Sequence, residues 1–171
     1  LAALLVVLLV ILEFSFFEES FMKLLVALDG SKASAHALDK ALGLSHSDTT
    51  EITLLTVIEP LTSYIPEIMM PTGDWVGWRG LPDVELERKL LAAGQNILDQ
   101  AEALCLEKNI KVSTRLELGL PREVICRIAT AEKPDVVILG SRGLGSLERL
   151  MLGSVSNYVL HPSEYPVLIV R

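Results

Sequence analysis

The sequence predicts an α/β fold built on one parallel sheet of five strands, with helices on both faces. Short apolar runs such as KLLVAL (23–28), EITLLTVI (51–58) and DVVILG (135–140) have the length of strands buried on both sides. Between them lie stretches whose apolar residues recur at helical spacing. Strand alternating with helix is the pattern of parallel neighbours, because each parallel pair needs a crossover long enough to hold a helix. At 171 residues the chain can bury one substantial core and is too short for two comfortable domains.

The first strand, 23–28, stops at the turn Asp29-Gly30-Ser31. Ala33, Ala37, Leu38, Ala41, Leu42 and Leu44 then mark a helix over 31–44, with Ser31 suited to its N-cap and Gly43 with Ser45–Asp48 to its end. EITLLTVI (51–58) is rich in β-branched residues and closes at Glu59-Pro60. The stretch from Pro60 to Pro82 carries Pro66, Pro71, Gly73, Gly77 and Gly80 and reads as one long loop, which a compact domain seldom keeps without a functional role.

Leu86, Leu90, Leu91, Ile97, Leu98, Ala101, Leu104 and Cys105 predict the longest helix, over 83–108. KVSTRLEL (111–118) alternates as a strand, and Gly119 ends it. Pro121 sits well at the start of a helix running to about Ala131. After the strand 135–140 come a glycine-rich stretch, a helix to about Leu160, a stop at His161-Pro162 and a last strand, PVLIV (166–170).

Residues 1–12, LAALLVVLLVIL, are continuously apolar, and Glu13, Glu18 and Glu19 separate them from Met22. As a helix to Phe17 this segment spans about 25 Å, short of the roughly 30 Å hydrocarbon core of a bilayer. It has no base before Lys23 and no clear small-residue cleavage site, so it does not read as a signal peptide. The expected organisation is an apolar extension over 1–21 outside the folded core, non-native or translated from an upstream start, followed by one domain over 22–171. Membrane association is expected only if residues 1–17 are a genuine anchor.

Half the residues are hydrophobic, and 22 acids against 15 bases leave a net charge of −7. That balance argues against a broad electrostatic footprint for nucleic acid. Cys105 and Cys126 are the only cysteines and form no CxxC pair, which argues against a disulfide framework or a zinc site. Both fit helical core positions in a reducing compartment, so the expected location is the cytoplasm.

The chemistry concentrates at two turns. In open α/β sheets a ligand sits beyond the carboxyl ends of the strands, where the order of the sheet reverses. Asp29-Gly30-Ser31 follows the first strand, and Gly140-Ser141-Arg142-Gly143 follows the fourth. Glycine permits positive φ and lets a phosphate approach backbone N–H groups, a freedom expected at Gly140, Gly143, Gly145 and Gly153. Gly153-Ser154-Val155-Ser156 precedes the last helix, where unpaired N–H groups and serine hydroxyls favour an anion. Gly140 and Gly145 have Walker-A spacing, but Ser146 and Leu147 stand where that loop needs Lys and Ser or Thr. The glycine order also differs from the dinucleotide G-x-G-x-x-G.

The pattern that fits is G-x2-G-x9-G-[ST], at Gly140, Gly143, Gly153 and Ser154. Together with VALDGS (26–31) and the terminal PVLIV, it resembles the universal stress protein family in its nucleotide-binding branch, over about residues 22 to 171. The resemblance implies a Rossmann-like fold of the adenine nucleotide alpha hydrolase kind, with sheet order 3-2-1-4-5. It also implies ATP or a related adenine nucleotide, with Mg²⁺, and a homodimer through the C-terminal strand 166–170. Carried over by position, Asp29 meets the ribose, and Ala27 and Val57 line the adenine. Leu139 and Gly140 border the sugar and phosphates, and Gly143, Gly153, Ser154, Val155 and Ser156 surround the phosphates. A carboxylate at a strand end accepts hydrogen bonds from ribose hydroxyls and would repel phosphate, which agrees with that placement of Asp29.

Several of these residues have plainer accounts. Asp29 alone is more often a turn or capping residue, and it is the glycine pattern that favours binding. Gly140 and Gly143 alone make a tight turn, and Ser154 an N-cap. Arg142 and Arg149 are candidates to neutralise phosphate, although a solvated arginine is commoner. Trp75 and Trp78 either anchor their loop or fold over a ligand. His36, His46 and His161 read as structural or solvent-facing, and no nucleophile and base pair stands out. The expected function is therefore an ATP-binding regulatory or stress-resistance module with no dedicated catalysis and at most slow hydrolysis. The alternatives are an adenine-nucleotide hydrolase or adenylate-forming enzyme, and a nucleotide-free dimeric interaction module.

Overall fold

The computed structural model describes residues 21–60, 67–69, 75–77, 84–143 and 152–171. The expectations for the apolar extension, for Gly145 and Arg149, and for Trp75 and Trp78 lie outside those residues or their described side chains.

Strand β1 (Met22–Ala27) sets the plan, because successive side chains of a strand point to opposite faces. Leu24 and Val26 enter a core on the first face, Leu25 enters one on the second, and all three are buried. Helix α1 (Lys32–Leu44) covers the first face with Ala37, Leu38, Ala41 and Leu42. Strand β2 (Thr50–Ile58) repeats the alternation, sending Ile52 and Leu54 to the first face and Leu55 to the second.

Helix α2 (Val84–Glu107) follows the short strands β3 (Glu67–Met69) and β4 (Trp75–Gly77) and packs Leu98, Ala101 and Cys105 onto the first face. Strand β5 (Lys111–Leu118) leads to helix α3 (Pro121–Glu132), which has proline in its first turn. Val124, Ile125, Ile128 and Ala129 of α3 fill the second face together with Leu55, Val137 and Leu139. Strand β6 (Val136–Gly140), helix α4 (Ser154–Leu160) and strand β7 (Val167–Val170) complete the chain, with Val159 of α4 on the second face.

The main sheet runs β5-β2-β1-β6-β7 and is parallel throughout. Numbered within that sheet, the order is 3-2-1-4-5, as expected. The first two crossovers use one face and the last two the other, so the sheet reverses direction between β1 and β6.

One expectation about the secondary structure fails. The stretch from Pro60 to Pro82 is not a single loop, because β3 and β4 pair antiparallel in a separate two-stranded sheet, with Ile68 opposite Val76. Three-residue strands offer too few alternations to register against the surrounding prolines and glycines.

Among the described residues, Thr56 on β2 is the one with a buried side-chain oxygen that lacks a hydrogen-bond partner. An unsatisfied buried hydroxyl costs about 1–3 kcal/mol. Thr56→Val keeps the branched shape and removes the oxygen. It is expected to raise stability by about 1 kcal/mol, read as a higher urea midpoint with an unchanged slope.

Candidate functional site at the carboxyl edge of the sheet

In a doubly wound sheet a reversal such as that between β1 and β6 places a crevice at their carboxyl ends. Ala27 and Leu139 lie side by side in the register of these two strands. Beyond them the chain turns into α1 on the first face and towards α4 on the second. A doubly wound sheet offers its ligand site at such a divergence.

The first wall is Asp29-Gly30-Ser31. Gly30 has φ +78°, in the left-handed region that favours glycine. The Ser31 N–H donates to Asp29 Oδ1 at 3.0 Å, an Asx turn that holds the carboxylate in place. Ser31 caps α1 by accepting the Ser34 N–H at 3.1 Å, and the Ser34 hydroxyl donates to the Ser31 carbonyl at 2.9 Å. Asp29 is half-buried, and the Asx turn leaves its Oδ2 oxygen for other contacts.

That oxygen faces the second wall. A Cβ placed on Gly143 would come within 2.5 Å of Asp29 Oδ2, so a side chain there would push the carboxylate aside. At Gly140 a Cβ would lie 2.7 Å from the Ala33 carbonyl carbon and 2.8 Å from the Ser34 nitrogen. The first turn of α1 is therefore seated directly on the end of β6. Gly153 adopts φ −63°, which any residue reaches, and its constraint is again space: a Cβ would stand 3.3 Å from Arg142 Cα. The positive-φ glycines among the described residues are Gly30 and Gly119. The positive φ expected at Gly140, Gly143 and Gly153 is therefore absent at all three, and close approach to neighbouring atoms is what they share.

Ser141 closes the arrangement. Buried beside Gly140, it donates its N–H to the Val170 carbonyl at 2.6 Å. Its carbonyl accepts the Gly153 N–H at 2.8 Å and the Ser156 hydroxyl at 3.2 Å. The start of α4 is thus fastened to the end of β6. No side chain caps α4, and the first-turn N–H groups of a helix have no partners within it. Ser156 also lies 3.1 Å from the Gly153 carbonyl, so its hydroxyl is spent on the fastening and not held out as a donor to an anion.

The opposite edge of the sheet carries two ion pairs. An open cavity of about 360 Å³ at the opposite, amino edge is lined by Lys23, Glu51, Thr53, Ser113 and Glu132 among others. Glu51 pairs with Lys111 at 3.2 Å and Glu132 with Arg115 at 2.6 Å. Burial, with Glu102 nearby, pushes the Cys105 thiol up to about 11, and burial raises Cys126 as well, so both stay neutral thiols.

A model of the universal stress protein family matches residues 20–171. The chain belongs to that family.

Among its relatives, universal stress protein YxiE of Bacillus subtilis is 34% identical over 154 residues, covering 88% of this chain and 99% of the relative. The structure of hypothetical protein MJ0577 superposes with a TM-score of 0.70 at 28% identity, over 88% of this chain and 96% of that one. A universal stress protein in complex with cAMP superposes with a TM-score of 0.55 at 20% identity, over 89% and 98% of the two chains. The family protein At3g01520 of Arabidopsis thaliana, with AMP bound, gives 0.58 at 22% identity, over 87% and 90%.

In this universal stress protein the expected site residues fall into three groups. Asp29 meets Gly143 across the crevice, Gly140 lies under the first turn of α1, and Gly153 is tied to the same turn through Ser141. Ala27 and Val57 are half-buried on the second face, while Leu139 is buried in the core beside them and can border a ligand only through its backbone. Val155 packs against the same core, and Ser154 is exposed at the first turn of α4. Reading the residues alone passes over Ser141, whose signal is its place inside G-x2-G. It also leaves Ser31 as no more than a helix cap.

Proposed function

We propose that this universal stress protein binds ATP or a related adenine nucleotide in the crevice between β1 and β6, as a regulatory or stress-resistance module of the cytoplasm. The observation that carries the reading is the meeting of Asp29 Oδ2 with Gly143: a carboxylate and a bare backbone face each other at the point of sheet reversal. The carboxylate suits ribose hydroxyls, and the bare glycine lets it lie against the main chain of the second turn. Support also comes from the solved relatives that hold cAMP and AMP.

In this reading Ala27 and Val57 line the adenine, and Leu139 and Gly140 border the sugar. Gly143, Gly153, Ser154 and Val155 surround the phosphates, with Ser156 holding that loop in shape. In this reading Mg²⁺ arrives on the phosphates, as it commonly does with nucleotides. The phosphate site has no lysine of the Walker type, which favours retention of the nucleotide over rapid phosphoryl transfer. Two chains would pair through the strand 166–170.

Isothermal titration of ATP with Mg²⁺ into the purified protein is expected to give saturable heat at one site per chain. Mass spectrometry of the same preparation is expected to find adenine nucleotide carried through purification. No heat and no co-purified nucleotide would remove the reading.

A further inference from the structure

We propose that Ser31 is a positioning residue that joins the two halves of the nucleotide site, a role that rests on the binding reading above. Three of its hydrogen bonds carry the inference. Its N–H donates to Asp29 Oδ1 at 3.0 Å, its hydroxyl oxygen accepts the Ser34 N–H at 3.1 Å, and its hydroxyl donates to the Arg142 carbonyl at 3.3 Å. The last bond crosses 111 residues of sequence and connects the turn after β1 to the turn after β6.

The consequence lies in the Arg142–Gly143 peptide. In a trans peptide the carbonyl and the N–H point to opposite sides. With the Arg142 carbonyl held on Ser31, the Gly143 N–H is directed away from it. The same side chain therefore sets the direction of a backbone donor in the glycine turn while its own N–H orients the carboxylate opposite. Without the hydroxyl, the peptide beside a glycine is free to rotate, and both groups lose their fixed relation.

Helix capping is the competing explanation, and the variants separate the two. Glycine is nearly as good an N-cap as serine but has no hydroxyl, whereas threonine keeps both cap and donor. Ser31 has φ −75° and ψ 160°, which threonine adopts without strain.

The test uses Ser31→Gly, Ser31→Ala and Ser31→Thr in the full chain, with two readouts: the ¹H–¹⁵N resonance of Gly143 without nucleotide, and the affinity for ATP with Mg²⁺. Ser31→Gly and Ser31→Ala are expected to move the Gly143 resonance and weaken ATP by about fivefold or more. Ser31→Thr is expected to restore both. An unmoved Gly143 resonance with wild-type affinity in Ser31→Ala would overturn the proposal and leave Ser31 a cap. If the wild-type protein takes up no ATP, the binding reading falls, and the Gly143 resonance still reports whether the tie between the turns exists.

Discussion

Gly140→Val is expected to lower stability by about 3 kcal/mol, the largest loss at any single position of the site. The cause is the seating of α1 on β6. A Cβ at position 140 would stand 2.7 Å from the Ala33 carbonyl carbon and 2.8 Å from the Ser34 nitrogen, and these are backbone atoms that cannot turn aside. Helix α1 would have to lift, and its buried residues Ala37, Leu38, Ala41 and Leu42 would lift with it. The same displacement pulls Ser34 from Ser31 and so disturbs Asp29. Urea unfolding measures the effect, with Gly43→Ala as the control. Nothing lies within 4 Å of a Cβ at Gly43 inside α1, and alanine there is expected to stabilise by about 0.5–1 kcal/mol. Equal midpoints for the two variants would contradict the packing described for β6 and α1.

Asp29→Ala is expected to weaken ATP by about tenfold to a hundredfold, the worth of hydrogen bonds to a charged acceptor. The fold should survive, because the carboxylate makes one local bond, to the Ser31 N–H at 3.0 Å. Asp29→Asn sharpens the measurement. The amide oxygen preserves the Asx turn, while the charge facing Gly143 is gone. Calorimetry should then place Asp29→Asn between wild type and Asp29→Ala. If both variants kept wild-type affinity, Asp29 would be a turn residue and no more.

Much of this was legible in the residues. The strands of the main sheet begin and end within about one residue of their expected places, because continuous apolar runs and sharp turn residues leave little choice of boundary. Helix α1 was equally clear, since Ser31 and the spacing of its alanines and leucines agree. The order of the sheet was another matter. Each apolar run is compatible with several neighbours, and the order came from likeness to a family and not from periodicity. The short pair β3 and β4 escaped for want of length.

At the site, residue types were legible and their reasons were not. Glycine at 140, 143 and 153 suggested backbone conformation, but the constraints come from atoms elsewhere in the chain: Ala33 and Ser34 for Gly140, Asp29 for Gly143, Arg142 for Gly153. Spacing within one segment carries no trace of such contacts. Ser31 shows the same limit, since its partners at 29 and 34 are local and its partner at 142 is not.

The seating of α1 on Gly140 bears on how other sequences of this fold are compared. A position kept small by a neighbouring backbone is kept so with or without a ligand. Gly140 therefore carries information about architecture, and its presence says little about whether a chain holds a nucleotide. The informative letters are those whose neighbours belong to the crevice itself, Gly143 opposite Asp29 above all. Under the proposed function, loss of both together, with the first glycine intact, would mark a chain that has kept the scaffold and given up the guest.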